Sequence, residues 1–307
     1  MKIIDVERKQ QRVYNMVKPI KCSASHHFIG VITFRLGLII FDRGGESARI
    51  LPRSKTSALI AFHPKYPQIF AIGYRNGNVR IWNDQKQAYL PLFKPYSKRI
   101  NCIRFSPDGR LFLSSESNNI ATIVTFNARF QPISLLKLEG HTHYINEILP
   151  LHSSQQCVTC SDDRRLKVWD CQTGACLKTL KAHSKFASVL ALHPTKPIFA
   201  SGAYDDYVYV WSTETFDLLR ECEFQAGIQA LEFDDTGHLF VSVDDYGIMS
   251  WNMETRTIRR VVRSDKPDYF FGLAVGKLDA LVLLLVFGIV SLPYLSAQFP
   301  LASRGLL

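Results

Sequence analysis

One stretch of the chain, from Gly140 to Ser212, contains two consecutive copies of the same unit. Each copy begins at a histidine, His141 or His183, and ends with a tryptophan that closes an apolar run, Trp169 or Trp211. The two histidines are 42 residues apart, and so are the two tryptophans. A period of about 40–45 residues built from short β-type runs is typical of the blades of a β-propeller. This repeat therefore restricts the possible folds more than any other feature of the sequence.

The same spacing continues on both sides of the central copies. Large aromatic residues recur at steps of 40 to 44 residues, each at the close of an apolar run: Phe41, Trp82, Phe126, Trp169, Trp211 and Trp251. About 20 residues before four of these anchors, an apolar run ends in turn residues: 62–64, 105–109, 192–194 and 233–237. Proline and glycine favour tight turns, so these segments predict the hairpin between the first and second strands of each blade. No segment before residue 270 has a helical apolar period, which predicts an all-β fold.

These motifs resemble the WD40-repeat family over nearly the whole chain. The resemblance implies a seven-bladed WD40-type β-propeller whose N-terminal and last blades are degenerate. It also implies a buried chain of four hydrogen-bonded side chains in each regular blade. The fourth blade would supply His141, Thr159, Asp163 and Trp169, and the fifth His183, Ser201, Asp205 and Trp211. We expect these residues to be structural, because a buried imidazole, hydroxyl, carboxylate and indole N–H can satisfy one another.

The C-terminal part of the chain allows two interpretations. Residues 278–295 are almost wholly apolar, but the run is shorter than the roughly 20 residues of a transmembrane helix. The segment Gly288–Leu292 repeats the pattern of Gly247–Trp251 at a distance of 41 residues, which favours a seventh blade over a membrane anchor. The predicted organisation is an N-terminal segment over 1–12, the propeller over 13–295 and a tail over 296–307. A strand within 2–6, or one after residue 298, would close the ring.

The sequence contains few features that indicate catalysis or metal binding. Cys157 and Cys160 have the spacing of a zinc site, but an odd spacing on one predicted strand directs their side chains to opposite faces. No phosphate-binding glycine loop and no nucleophile elbow is present. We therefore expect no enzyme, no metal and no cofactor. Seven cysteines without a disulfide pattern, and a charged first segment, predict a cytoplasmic or nuclear protein.

The resemblance implies that partners dock on one face of the ring. That face, called the rim here, carries the loops before the first strand and between the second and third strands of each blade. The candidate contact residues on it are Arg75, Lys98, Arg99, Tyr144, Asp162, Phe186 and Tyr204. Exposed aromatic and arginine side chains are the usual energetic anchors of interfaces. The predicted function is a non-catalytic protein–protein interaction scaffold or adaptor subunit of a multiprotein complex.

Three alternatives remain at this point. The formal net charge of +10 also suits binding to a polyanion, either RNA or an anionic membrane surface. If residues 278–295 formed an anchor, the chain would be a membrane-tethered propeller. Blades four to seven are also similar to the propeller of the katanin regulatory subunit, because the seventh lacks its tryptophan and the sixth its histidine. That similarity would imply a microtubule-associated regulatory subunit.

Overall fold

The computed structural model describes six strands within residues 2–50, and residues 57–262 except 91, 116–118, 235 and 244–246. At the N-terminus, β1 (Lys2–Asp5) pairs antiparallel with β2 (Gln10–Val13) in a two-stranded sheet. Residues 278–295 and the tail lie outside the described part of the chain. The predictions of a seventh blade, of the domain limits and of a closing strand therefore stay predictions.

Six four-stranded antiparallel sheets follow in the described residues, and the strands of each sheet are consecutive in the sequence. Blade 1 contains β3 (Pro19–Ala24), β4 (Phe28–Thr33), β5 (Gly37–Asp42) and β6 (Ala48–Ile50). Blade 2 contains β7 (Ser57–Phe62), β8 (Ile69–Tyr74), β9 (Val79–Asn83) and β10 (Ala88–Tyr89). Blade 3 contains β11 (Ile100–Phe105), β12 (Leu111–Ser115), β13 (Ile120–Phe126) and β14 (Pro132–Glu139).

The remaining three sheets repeat this arrangement. Blade 4 contains β15 (Ile145–Pro150), β16 (Gln156–Ser161), β17 (Arg165–Asp170) and β18 (Cys176–Lys181). Blade 5 contains β19 (Ala187–Leu192), β20 (Ile198–Ala203), β21 (Tyr207–Ser212) and β22 (Leu218–Glu223). Blade 6 contains β23 (Ile228–Phe233), β24 (Leu239–Val243), β25 (Gly247–Asn252) and β26 (Thr257–Val262).

The aromatic repeat predicted the position of the third strand in every blade. All six anchors lie on third strands: Phe41, Trp82, Phe126, Trp169, Trp211 and Trp251. The four turn segments also lie where the spacing placed them, between the first and second strands of blades 2, 3, 5 and 6. The all-β fold is confirmed.

The first strand of each blade contacts the first strand of the next, from β3 through β23. This arrangement places the first strands innermost and the fourth strands outermost, as in a propeller. The second strands β8, β12 and β24 are buried throughout. For β8 and β12, the described blades on either side pack against both faces of the sheet. Most residues of the fourth strands β18 and β22 are exposed. No helix in the described residues is both long enough and apolar enough to span a membrane.

Two histidines, His63 and His193, face a glycine of the next blade, Gly109 and Gly237, in the hairpins between first and second strands. Nδ1 of His193 accepts the backbone N–H groups of Thr195 and Lys196 at 3.2 and 3.0 Å. The other side of this ring faces Gly237 of blade 6, whose φ is +86°. A Cβ at that glycine would lie 2.5 Å from Nε2 of His193. A residue without a side chain is therefore required there, for both conformation and space.

We expect Gly237→Ala to lower the free energy of unfolding by about 2 kcal/mol, since it introduces both a strained φ and a steric clash. Urea denaturation of the purified chain measures this change. The loss should be smaller when the same substitution is made in a His193→Ala background, where the clashing atom is absent. Equal losses in the two backgrounds would show that the contact with the imidazole is unimportant.

Candidate functional site

In blade 4, the four predicted network residues form one continuous hydrogen-bonded chain. Trp169 donates its indole N–H to Oγ1 of Thr159 at 2.8 Å. That hydroxyl lies 2.7 Å from Nε2 of His141, and Nδ1 of the same ring lies 2.6 Å from Oδ2 of Asp163. Because the carboxylate can only accept, Nδ1 carries a proton and donates it to Asp163. Every polar group of the chain thus has a partner.

Blade 5 repeats this chain with a serine in place of the threonine. Trp211 donates to Oγ of Ser201 at 3.0 Å, and that hydroxyl lies 2.9 Å from Nε2 of His183. Nδ1 of His183 lies 3.1 Å from both carboxylate oxygens of Asp205. In both blades Nδ1 of the histidine therefore donates a proton to the aspartate.

The two aspartates of these chains are stable as carboxylates. Burial raises the pKa of Asp163, but hydrogen bonds from His141 and from the backbone N–H groups of Thr142 and Arg165 outweigh it, so the pKa lies below its usual value. Asp205 has a lowered pKa for the same reasons. Both therefore hold their negative charge across the neutral pH range.

The arrangement does not suit nucleophilic catalysis. The hydroxyls of Thr159 and Ser201 belong to completely buried residues, and each accepts an indole N–H. A nucleophile has to reach a substrate atom, which these hydroxyls cannot do. The chemistry that this geometry supports is structural: it satisfies buried polar groups and holds loops in place.

The networks tie together the two rim loops of their blades. Oδ2 of Asp163, in the turn after β16, accepts the backbone N–H of Thr142 in the loop before β15 at 3.2 Å. Oδ2 of Asp205, in the turn after β20, accepts the N–H of Ser184 in the loop before β19 at 2.8 Å. Each buried network thus supports the exposed loops directly above it.

The predicted rim residues occupy equivalent positions in successive blades. One set immediately precedes a first strand, and the other immediately follows a second strand. The first set is Arg99, Tyr144 and Phe186, with Lys98 one residue earlier; the second set is Arg75, Asp162 and Tyr204. Two backbone hydrogen bonds join the sets, from Asp162 N–H to the carbonyl of Tyr144 at 3.0 Å and from Tyr204 N–H to that of Phe186 at 3.1 Å.

Three of these residues present large aromatic side chains to solvent in neighbouring blades. Tyr144 is 47% exposed, Phe186 52% and Tyr204 41%. The amide of Asn146 connects the two blades beneath them, donating to Oδ1 of Asp162 at 2.7 Å and to the carbonyl of Ala187 at 2.8 Å. Clustered apolar surface on rigidly held loops is typical of a binding surface. The rim of blades 4 and 5 is therefore the candidate site.

Asn146 was not among the residues predicted from the sequence. A signal for it exists, since a polar residue stands second in the first strands of blades 3, 4 and 5. Asn101 and Ser188, at the equivalent positions, likewise donate to the next blade, to the carbonyls of Ile145 at 3.5 Å and Ile228 at 2.8 Å. These side chains link neighbouring blades next to the rim.

The two cysteines with zinc-like spacing lie on β16 and point to opposite faces. Cys157 packs beside Trp169 and Cys171, whereas Cys160 belongs to the apolar layer shared with blade 5. Burial raises the pKa of both thiols well above its usual value, which favours uncharged side chains. In the part of the chain that the structure describes, no group of three or more ligand-type side chains could hold a metal.

Comparison with known families gives three matches to the model described as "WD domain, G-beta repeat". They cover residues 89–123, 132–170 and 174–212. The second runs from the fourth strand of blade 3 through the third strand of blade 4, and the third does the same one blade later. Both therefore include the tryptophan anchors of the central blades.

Proteins from yeasts and plants are among the curated relatives of this chain. Probable coatomer subunit beta' of Schizosaccharomyces pombe is 24% identical over 206 residues, or 60% of this chain and 26% of that protein. Topless-related protein 4 of Arabidopsis thaliana is 25% identical over 187 residues, or 53% and 16%. Nuclear distribution protein PAC1 of Candida tropicalis is 26% identical over 189 residues, or 60% and 37%. The chain thus matches well under half the length of these relatives.

Proposed function

We propose that this chain, which contains WD40 repeats, is a non-catalytic scaffold or adaptor that binds other proteins through its rim. The observation that carries the proposal is the exposure of Tyr144, Phe186 and Tyr204 on loops held by buried hydrogen bonds. Rigid loops lose little conformational entropy when a partner binds, so aromatic side chains on them contribute strongly to affinity. The cationic residues Arg75, Lys98 and Arg99 lie on the same face and would contact the partner at the periphery.

The buried networks support this function from below. His141 and His183 each hold an aspartate that fixes a loop carrying an aromatic side chain. In this proposal the eight network residues are structural and the seven rim residues make the contacts. A subunit of this kind would belong to a multiprotein complex in the cytoplasm or nucleus.

We expect Tyr144→Ser plus Phe186→Ser to reduce the recovery of bound proteins at least tenfold, because both aromatic anchors are lost while the fold is kept. Quantitative mass spectrometry after affinity purification of the tagged chain measures recovery. The matched control is Leu177→Ser plus Leu218→Ser on the outer strands, where the side chains are 50% and 46% exposed. The control should leave recovery unchanged. Equal recovery from the rim variant and the wild type would rule out this face as the binding site.

One alternative function has a specific observation in its favour. The net charge of +10 suits a polyanion such as RNA or an anionic membrane, and such binding would weaken steeply with salt. A membrane tether over 278–295 involves residues outside the described part of the chain. The microtubule-associated role implied by the similarity to the katanin regulatory subunit stays a separate hypothesis.

A further inference from the structure

The described rim loops differ in charge between two pairs of blades. In blades 4 and 5 they contain four aspartates against two cations, Arg164 and Lys185. In blades 2 and 3, the turn 75–78 and the segment 94–99 before β11 contain no acidic residue and four cationic ones: Arg75, Lys94, Lys98 and Arg99. Two segments between strands of this region, 51–56 and 116–118, lie outside the described residues. By sequence they contain two cationic residues and one acidic residue, so they do not reverse the sign.

Direct packing of the backbone brings these cations together. Gly77, in the turn that begins at Arg75, has φ = +81°. A Cβ at this glycine would lie 2.1 Å from the carbonyl oxygen of Tyr96 and 2.7 Å from that of Lys98. The turn of blade 2 therefore lies against the segment that leads into blade 3, and the cations of both belong to one surface.

The backbone on both sides of this surface is held by hydrogen bonds. Ser115, the last residue of β12, donates its hydroxyl to the carbonyl oxygen of Arg99 at 2.7 Å. Phe93 and Val79 exchange two backbone hydrogen bonds of 2.9 and 3.2 Å immediately before Lys94. A fixed backbone keeps like charges close to one another, and an anion that binds among them relieves their repulsion.

Three of the four cations have exposed side chains, whereas Arg99 is half-buried. The exposed three are called the cationic patch here: Arg75, Lys94 and Lys98. All three are on the rim, one or two blades away from the exposed aromatic side chains of blades 4 and 5.

From these observations we infer that the cationic patch binds an acidic segment of the partner protein. The inference rests on the proposed function, since it specifies a second contact between the same partner and the rim. Carboxylates of the segment pair with the three cations, and the guanidinium of Arg75 can bind one carboxylate through two parallel N–H groups. The aromatic side chains of blades 4 and 5 contact a different part of the partner.

The neighbouring blades favour a short peptide segment over a nucleic acid or a membrane. Asp162 and Asp206 lie on the rim of blades 4 and 5. A long phosphate backbone or a flat anionic bilayer that extended beyond the patch would meet these carboxylates. The one aromatic residue in the two patch segments, Tyr96, is only 5% exposed, so no base can stack on it. An acidic segment of a few residues fits within the two cationic blades.

The test begins with selection of a displayed random-peptide library on the intact chain. The peptide that emerges is synthesised, and its affinity is measured by fluorescence anisotropy. Arg75→Glu plus Lys98→Glu reverses two charges of the patch, and we expect about tenfold weaker binding, because attraction becomes repulsion. The milder variant Arg75→Ser plus Lys98→Ser should show a smaller loss in the same direction.

The matched control is Lys65→Glu plus Lys86→Glu. Both lysines are exposed and lie in blade 2, in loops of the opposite face. The control changes the net charge of the chain by the same amount as the patch variant, so it separates the position of the charges from their sum. It should bind the peptide as the wild type does. Urea denaturation of each variant checks that the fold is kept.

The outcomes decide the inference independently of the proposed function. Enrichment of acidic peptides, with weaker binding after reversal of the patch and after exchange of their Asp and Glu for Asn and Gln, supports it. Peptides without an excess of acidic residues, or no peptide that depends on Arg75 and Lys98, overturn it. Binding of a 12-nucleotide oligo(U) RNA or of phosphatidylserine vesicles that depends on these residues more than any peptide does overturns it too.

The proposed function is tested by Tyr144→Ser plus Phe186→Ser, which leaves the patch unchanged. Loss of partner recovery in that variant, with no acidic peptide bound at the patch, keeps the proposed function and removes the inference. Unchanged recovery in that variant, with acidic peptides bound at the patch, rejects the aromatic rim as the binding site and keeps the patch.

Discussion

Replacing Asp163 by alanine is expected to lower the free energy of unfolding by about 3 kcal/mol. The substitution leaves Nδ1 of His141 without a partner inside the protein, and it removes the acceptor for the N–H groups of Thr142 and Arg165. A buried donor without a partner costs more than the hydrogen bond contributed, because it also lost its bond with water. Urea denaturation measures the change, and hydrogen exchange of the Thr142 amide should show lost protection.

Three controls test whether the network is responsible. Asp163→Asn keeps an acceptor oxygen in the turn and should lose less stability than the alanine variant. Glu214→Ala, at an exposed loop position, should change stability by less than about 0.5 kcal/mol. Asp205→Ala should reproduce the loss in blade 5, since its aspartate has the same contacts. A loss under about 1 kcal/mol for both alanine variants would mean that the networks contribute little.

The second large effect is expected from acid, through His63. Nδ1 of His63 accepts the backbone N–H groups of Lys65 and Tyr66 at 3.1 and 3.2 Å, so the neutral ring is needed. Burial, and to a lesser extent the charge of Lys65, lowers the pKa of His63 from 6.5 to about 4. Between these two values the unfolded chain binds a proton that the folded chain does not. The contribution of neutral His63 to the free energy of unfolding is therefore fully present above pH 6.5. It decreases as the pH falls towards 4, by about 3 kcal/mol in total.

His63→Asn tests this expectation, because asparagine can accept the same N–H groups but does not titrate. Stability at pH 7 and pH 5, from urea denaturation, should differ less in the variant than in the wild type. His143→Asn, at an exposed rim position, should keep the dependence of the wild type. An unchanged dependence in His63→Asn would assign the acid sensitivity to other groups. Asp163 and Asp205 affect stability in a different pH range. Because their pKa values are lowered, the stability that their carboxylates contribute is lost only as the pH falls below 3.8.

The regularity of blades 4 and 5 explains why much of the fold could be predicted. A single period of large aromatic residues located six third strands, because each blade has to place one large side chain at the same point of its sheet. The network residues could be named because the motifs of blades 4 and 5 resemble the WD40-repeat family, and their hydrogen bonds follow from buried polar groups that require partners. The sequence marks Asn146 only as a polar residue in a first strand, and its contacts with Asp162 and Ala187 depend on the packing of two blades.

The sequence by itself determined the repeat and the all-β class, and its resemblance to the WD40-repeat family pointed to the four side chains that support each central blade. These features are local, since each depends on spacings within about 40 residues. Only the tertiary structure showed which loops share a face. It also showed that Arg164 lies between blades in a left-handed conformation. Such properties depend on how separate blades are oriented, and no spacing within one repeat contains that information.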